Sequence, residues 1–149
     1  MSSTQGSIEQ QLKQEGYYIS TTVGFSMWPM LYNRRDRVII TAKKEGERLR
    51  RWDLPLYRLP NGKYVMHRII AIKEDEYIIR GDNTYVKEHI PDAWIVGVMT
   101  EFYRKGKHIS ASSRAYRFYA AVWQTVFPIR WLLYRLRCIA SKIKHKIFK

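Results

Sequence analysis

The pattern of hydrophobic and polar residues differs between successive stretches of the chain. The first sixteen residues are polar, and the segment 7–15 (SIEQQLKQE) is typical of a short surface helix that Gly16 would end. From Tyr17 to Lys107, short runs rich in β-branched and aromatic residues alternate with the turn-forming sequences NRRD, PNG, KEDE, GDN and RKGK. This alternation predicts about six antiparallel strands, with hairpin connections at PNG and KEDE.

The predicted fold is therefore mainly β, an antiparallel sandwich or partly open barrel. We expect three parts: a polar, short helical segment over 1–16, a β domain over 17–110, and a basic amphipathic helical tail over 111–149.

Apolar residues in the tail recur with the period of an α-helix. Between 129 and 147 the apolar residues fall on one helical face: Ile129, Leu132, Leu136, Ile139, Ala140, Ile143 and Ile147. Pro128 is expected to separate this helix from a more apolar one before it. The longest uncharged run, 118–129, has twelve residues, whereas a spanning helix needs about 20. The pattern predicts a helix that lies on a bilayer and does not cross it.

Charge is distributed unevenly along the chain, whose formal net charge is +14. Residues 1–101 hold 15 basic and 13 acidic side chains, while residues 102–149 hold 12 basic side chains and no acidic one. Such a tail favours an anionic partner. Because aromatic residues are clustered with the apolar stripe, a membrane surface is expected and nucleic acid is disfavoured. The alternative is that the stripe packs on the β domain and the charges are merely solvated.

Neither the cysteine content nor the N-terminal segment indicates a metal site or a signal peptide. The single cysteine, Cys138, has no Cys or His neighbours at zinc-ligand spacing, so we expect no metal and no other cofactor. The first sixteen residues do not have the apolar core of a signal peptide. An intracellular or peripheral-membrane location is therefore expected.

Three short segments carry residues suited to catalysis. Ser26 lies in GFSMWPML, His67 in MHRII, and Asp82 in RGDN. Taken singly, each has an ordinary structural explanation: a strand-to-turn junction, a packed histidine, and a β-turn.

Together, the order and spacing of these segments resemble the catalytic core of the signal peptidase I and LexA-type serine peptidases. Ser-Met-x-Pro begins at Ser26, the His-Arg-Ile strand follows 41 residues later at His67, and Gly-Asp-Asn begins at Gly81. Asp53 stands where the family has the aspartate of a Gly-Asp pair before a strand, and the stretch 95–98 resembles the strand that completes the core. The resemblance covers about residues 20–107 and implies the family's β fold.

The resemblance implies a peptidase that uses Ser26 as its nucleophile and His67 as its base, as the endoplasmic-reticulum and archaeal types do. Imidazole suits this role because its unperturbed pKa is about 6.5. In such enzymes an acid supports the histidine. Asp82 matches the first acidic position and is preferred; Glu88, six residues later, is the alternative, because its longer side chain could reach the ring if Asp82 only shapes the turn.

This chain departs from the family pattern at several points. Gly24 stands where many signal peptidases have a serine, so the oxyanion hole would use backbone N–H groups, most simply that of Ser26. Trp52 stands where the family usually has glycine; since tryptophan fits poorly in a turn with positive φ, we expect that turn to differ. No apolar spanning helix accompanies the motifs.

The leading hypothesis is a serine endopeptidase that cleaves signal or leader peptides. One alternative is a weakly active or inactive peptidase-like module that binds an anionic membrane or nucleic acid through its tail. Another is a LexA-type self-cleaving regulator, which is disfavoured because only 25 residues precede Ser26 and they contain no Ala-Gly bond.

Overall fold

The computed structural model describes residues 5–147, as antiparallel β-structure flanked by helices. The helices are α1 (Gln5–Glu15), α2 (Arg114–Thr125) and α3 (Phe127–Ile147). The strands are β1 (Tyr17–Thr21), β2 (Arg37–Ala42), β3 (Pro55–Arg58), β4 (Tyr64–Met66), β5 (Arg68–Ile72), β6 (Glu76–Arg80), β7 (Glu88–Pro91), β8 (Ile95–Arg104) and β9 (Lys107–Ser110). A single 3₁₀ turn, Asp92–Trp94, precedes β8.

The strands form two antiparallel sheets. The larger has the order β1-β2-β8-β3-β4, with β9 also paired to β8, and the smaller has the order β5-β6-β7. The predicted antiparallel β-fold is thus confirmed at the level of its architecture. Both predicted hairpins are present too: PNG joins β3 to β4 and KEDE joins β5 to β6.

The run 63–72 (KYVMHRIIAI), one of the β-branched and aromatic runs that predict strands, is divided between the two sheets. Its first half is β4, paired with β3 in the large sheet, and its second half is β5, paired with β6 in the small sheet. The chain passes between the sheets at His67. The short strands β7 and β9 were not predicted, because EHIP and KHIS have no run of β-branched or aromatic residues.

Two clusters of buried side chains stabilise this arrangement. The first joins α1 to the large sheet and to the loop after β1, through Leu12, Ile40, Phe102 and Met30. The second lies between the sheets and includes Tyr57, which is fully buried. The predicted N-terminal helix ends at Gly16, whose φ of 78° lies in the left-handed region and whose N–H donates to Leu12 O.

Within the predicted tail, the described residues form two helices that relate differently to the β-structure. The helix α2 packs on the β-structure: Tyr116 is buried in the first core cluster, and Arg117 Nη1 lies 2.7 Å from Asp53 Oδ1. Only α3 extends from the body. The predicted break near Pro128 is confirmed, with Val126 between the two helices and Pro128 in the first turn of α3.

The expectation that the turn at Trp52 would differ from a glycine turn is wrong. Trp52 adopts a φ of 77°, which is the left-handed conformation that glycine favours. Its N–H donates to Ile69 O, its carbonyl accepts from Arg68 Nη1, and the Arg51 guanidinium lies 4.2 Å from the centre of its ring. These contacts hold a strained residue in place.

Candidate functional site

Ser26 lies in the loop between β1 and β2, and hydrogen bonds across the base of the loop fix its shape. Thr22 N–H donates to Asp36 O, and Thr22 Oγ1 donates to Tyr32 O at 2.7 Å. The Asp36 carboxylate is fully buried and accepts from Arg35 and from the Tyr32 N–H. Although burial alone would raise the pKa of Asp36, these donors hold it below its usual value.

Gly24 sets the conformation just before Ser26. Its φ is +94°, and its N–H donates to Asn33 Oδ1 at 3.0 Å. A serine at this position would be strained, because residues with a side chain rarely adopt such a φ. The Ser26 N–H itself makes no hydrogen bond within residues 5–147, so it is free to act as a donor to an oxyanion.

The Gly81-Asp82-Asn83 turn holds the Ser26 loop from the other side. Asn83 N–H donates to Ser26 O at 2.8 Å, and Asn83 Nδ2 donates to Phe25 O at 3.2 Å. A Cβ atom at Gly81 would lie only 2.7 Å from Ser26 O, so no larger residue fits without moving the loop. The turn therefore determines where the Ser26 backbone lies.

His67 lies at the junction of the two sheets, and hydrogen bonds at its Nδ1 atom hold the ring. Its Nδ1 is 2.6 Å from Glu88 Oε2 and 3.2 Å from the Tyr57 hydroxyl. A carboxylate oxygen accepts only, so Nδ1 carries a proton and donates it to Glu88. The other ring nitrogen, Nε2, makes no hydrogen bond with the described residues and has its lone pair available as a base.

Tyr57 completes this arrangement, which we call the histidine cluster: His67, Glu88 and Tyr57. The Tyr57 hydroxyl donates to the same carboxylate oxygen, Glu88 Oε2, at 2.8 Å. Burial, together with this hydrogen bond, raises the pKa of Tyr57 above its usual value, so the hydroxyl keeps the proton that it donates. Glu88 is thereby fixed by a group that stays neutral.

Asp82 does not contact His67. Its two carboxylate oxygens accept from Nε and Nη2 of Arg68, each at 2.7 Å, and Gln124 Nε2 of α2 donates to Oδ1 at 2.9 Å. Arg68 also receives support from the Tyr116 hydroxyl, 2.9 Å from Nη1. We call Arg68, Asp82, Gln124 and Tyr116 the arginine cluster. The structure thus puts Glu88, the alternative, at the position beside the histidine that sequence analysis gave first to Asp82.

Ser26 and His67 lie on the wall of the same cavity, whose volume is about 570 Å³. Both residues line it, and most of the remaining wall is apolar, from α1, β1, β2, β3 and β4. No hydrogen bond joins the two side chains among the described residues. The strands β1 and β4 are the two ends of the pairing order in the large sheet, and both contribute residues to this cavity.

Sequence reasoning missed Tyr57 and, apart from Asp82, every member of the arginine cluster. The only signal for Tyr57 was a phenol within a buried strand, since buried tyrosine hydroxyls usually find a partner. Nothing in the sequence indicates that α2 supplies Gln124 to Asp82, because that contact joins residues 42 positions apart.

Comparison of the chain with protein-family models and with curated proteins finds no match in either set. Within residues 5–147 no helix has the length of apolar sequence that a bilayer crossing requires.

Proposed function

We propose that this chain is a serine endopeptidase with Ser26 as nucleophile, His67 as general base, and Glu88 as the acid that orients the histidine. The observation that carries the proposal is the shared cavity: Ser26 and His67 line it, and His67 Nδ1 is bound to Glu88. That bond leaves Nε2 as the basic nitrogen. The resemblance to signal peptidase I adds the expected substrate class, a signal or leader peptide.

The chemistry proceeds in two displacement steps. His67 Nε2 takes the proton of Ser26 Oγ as this oxygen bonds to the carbonyl carbon of the scissile peptide. The tetrahedral intermediate places its oxyanion near the Ser26 N–H. When the C–N bond breaks, the imidazolium returns the proton to the leaving amine. A water molecule, deprotonated by His67 Nε2, then bonds to the acyl carbon. The bond from that carbon to Ser26 Oγ breaks, the imidazolium returns the proton to Ser26 Oγ, and the acid product leaves.

Tyr57 and Glu88 act through His67 in this scheme. The carboxylate holds the tautomer with the proton on Nδ1 and stabilises the imidazolium that forms during each step. Ser26 Oγ must come within hydrogen-bond distance of Nε2 in the substrate complex. Such contacts are often longer before substrate binds.

The cavity suits an extended peptide. Among residues 5–147, β1 is at the end of the pairing order of the large sheet, and its residues Tyr18, Ser20 and Thr21 line the cavity. An extended peptide that adds to the edge of a strand gains main-chain hydrogen bonds, and its alternate side chains enter pockets. The apolar walls around Met27, Leu31 and Val38 would receive apolar substrate side chains.

The test is cleavage of a mixed pool of leader-like peptides by the full chain, with products identified by mass spectrometry. Ser26→Ala and His67→Ala should each abolish cleavage, and the double variant should lose no more than either one, because both act in a single step. Ser141→Ala and His89→Ala, both at exposed positions away from the cavity, serve as matched controls and should cleave normally.

A serine-reactive phosphonate probe gives a second readout. The wild-type chain should be labelled at Ser26 and His67→Ala should be labelled much more slowly. Cleavage that persists in Ser26→Ala, or a wild-type chain that neither cleaves any peptide nor reacts with the probe, would refute the proposal.

A further inference from the structure

The helix α3 carries an exposed aliphatic face. Six side chains on it remain at least half exposed: Ile129, Leu132, Leu133, Leu136, Ile139 and Ile143, with exposed fractions of 50–62%. At about 100° per residue they fall within a sector about 120° wide. The alternative that this stripe packs on the β-structure is therefore not what the structure shows.

The body contacts α3 on a different side, near its first turns. The Tyr134 ring stacks on Tyr85 with centroids 4.2 Å apart, and Phe127 lies against the same tyrosine. Arg130 Nη2 donates to Asp82 O at 2.6 Å. On the helical wheel Phe127 and Tyr134 lie opposite the aliphatic face. The face therefore points away from the body.

Basic residues flank the aliphatic face on both sides. Arg137 and Lys144 lie along one edge of it and Arg135 and Lys142 along the other. No acidic residue occurs between 102 and 149, so neither flank has a carboxylate on α3 to neutralise it. A second copy would bring like charges together, which disfavours a helix pair. An anionic surface with an apolar interior satisfies both features.

We propose that α3 anchors this protein on membranes that contain anionic lipids, lying flat in the interface. The aliphatic face enters the boundary between headgroups and acyl chains, and the flanking arginines and lysines bind headgroup phosphates. At 1.5 Å per residue the 21-residue helix is about 30 Å long, and this length would lie along the surface. The proposal does not depend on peptidase activity.

The test is co-sedimentation of the full chain with vesicles of neutral phosphatidylcholine, or of phosphatidylcholine with about a third phosphatidylserine. We expect binding to the anionic vesicles at low salt and release at high salt, since exposed charges are screened beyond about 8 Å at physiological ionic strength. Neutral vesicles should bind much less.

Two variants and a matched control locate the surface. Changing Arg135, Arg137, Lys142 and Lys144 together to Gln should weaken binding a hundredfold or more, at roughly fivefold per charge. The control changes four exposed basic residues of the body to Gln, namely Lys13, Arg37, Lys44 and Arg50. Both variants lose four charges from +14, but the control should bind nearly as well as the wild type. Leu132→Gln with Leu136→Gln should reduce binding at all salt concentrations.

Three outcomes would overturn the proposal. In the first, the wild type does not bind anionic vesicles at low salt. In the second, the body control weakens vesicle binding as much as the α3 variant does, which would mean that binding depends only on the net charge of the protein. In the third, analytical ultracentrifugation shows a dimer that Leu132→Gln with Leu136→Gln dissociates while vesicle binding is unchanged, so that the face belongs to a second copy.

Discussion

His67 and Arg68 are consecutive residues, yet their side chains enter two clusters with opposite properties. In the arginine cluster the Arg68 and Asp82 side chains have no exposed surface. In the histidine cluster the side chains of His67 and Glu88 are 13% and 33% exposed. A buried ion pair whose hydrogen bonds are all made is rigid and does not exchange protons with a ligand. A carboxylate–imidazole pair that is open to a cavity can do so.

The acidic residue of the Gly-Asp-Asn sequence is therefore not the one that contacts the histidine: Asp82 pairs with Arg68, and Glu88 pairs with His67. Asp82 shapes the turn that holds Ser26, and Arg68 neutralises it from within the fold. Glu88 follows that sequence and lies on β7. In the small sheet β7 pairs with β6, and β6 pairs with β5, the strand that follows His67. Substitutions at Asp82, Glu88, Tyr57 and Trp52 test this division.

The largest effect is expected from Asp82→Asn, which leaves the buried charge of Arg68 without its partner. The free energy of unfolding should fall by about 3–5 kcal/mol, measured by urea denaturation. Activity per folded molecule should be largely retained. The control Asp75→Asn, at an exposed position, should change stability by less than about 0.5 kcal/mol. A stable but inactive Asp82→Asn chain would return the catalytic role to Asp82.

Glu88→Gln should have the opposite profile. An amide can donate to Nδ1, which places the ring proton on Nε2 and removes the base, so we expect a fall in kcat of about 10²–10⁴-fold. The unfolding free energy should change by no more than about 1 kcal/mol. The exposed Glu45→Gln is the control. Full activity in Glu88→Gln would mean that Ser26 and His67 work without a carboxylate.

Tyr57→Phe removes one hydrogen bond to Glu88, so a smaller effect is expected: about a tenfold fall in kcat and about 1 kcal/mol of stability. Tyr77→Phe is a close control, because the Tyr77 hydroxyl is also bound to a carboxylate, Asp92 Oδ1, at 2.8 Å. Because the Tyr77 hydroxyl also accepts from the Leu49 N–H, Tyr77→Phe should lose at least as much stability as Tyr57→Phe. Only Tyr57→Phe should lose activity. In a Glu88→Gln background Tyr57→Phe should have no further effect on kcat, and an additive effect would count against its positioning role.

The smallest effect is expected at Trp52, whose carbonyl accepts from Arg68. Trp52→Gly relieves the left-handed strain but loses the contact with Arg51, so the net change in stability should stay within about 1 kcal/mol. Trp52→Ala loses the contact and keeps the strain. Thermal unfolding should therefore rank Gly above Ala by about 1 kcal/mol. Equal stabilities would show that the turn relaxes in the variants.

Local chemistry made part of this fold predictable. The alternating runs, the PNG and KEDE hairpins, and the stop at Gly16 all depend on neighbouring residues, and each prediction was confirmed. The antiparallel β-architecture followed from the same runs. The change of sheet at His67 was not predictable, because it depends on which strands β4 and β5 pair with and not on any break in their shared sequence pattern.

For the site, the sequence supplied the candidates but not their partners. Ser26, His67, Asp82 and Glu88 all came from motif order. Which carboxylate lies beside His67 depends on the register of β7 against β6 and on the approach of α2 to Asp82. These are long-range contacts. The role of Tyr57 could not be predicted for the same reason, because its hydroxyl contacts Glu88, which is 31 residues away in the sequence.

The attachment of α2 to Asp82 has a consequence for the order of events during synthesis. Gln124, Trp123 and Arg130 all donate to Asp82, and the turn containing Asp82 holds the Ser26 loop. Ser26 leaves the ribosome about 100 residues before these three donors. A nascent chain therefore carries Ser26 without the contacts that hold its loop until α2 and the start of α3 have also emerged.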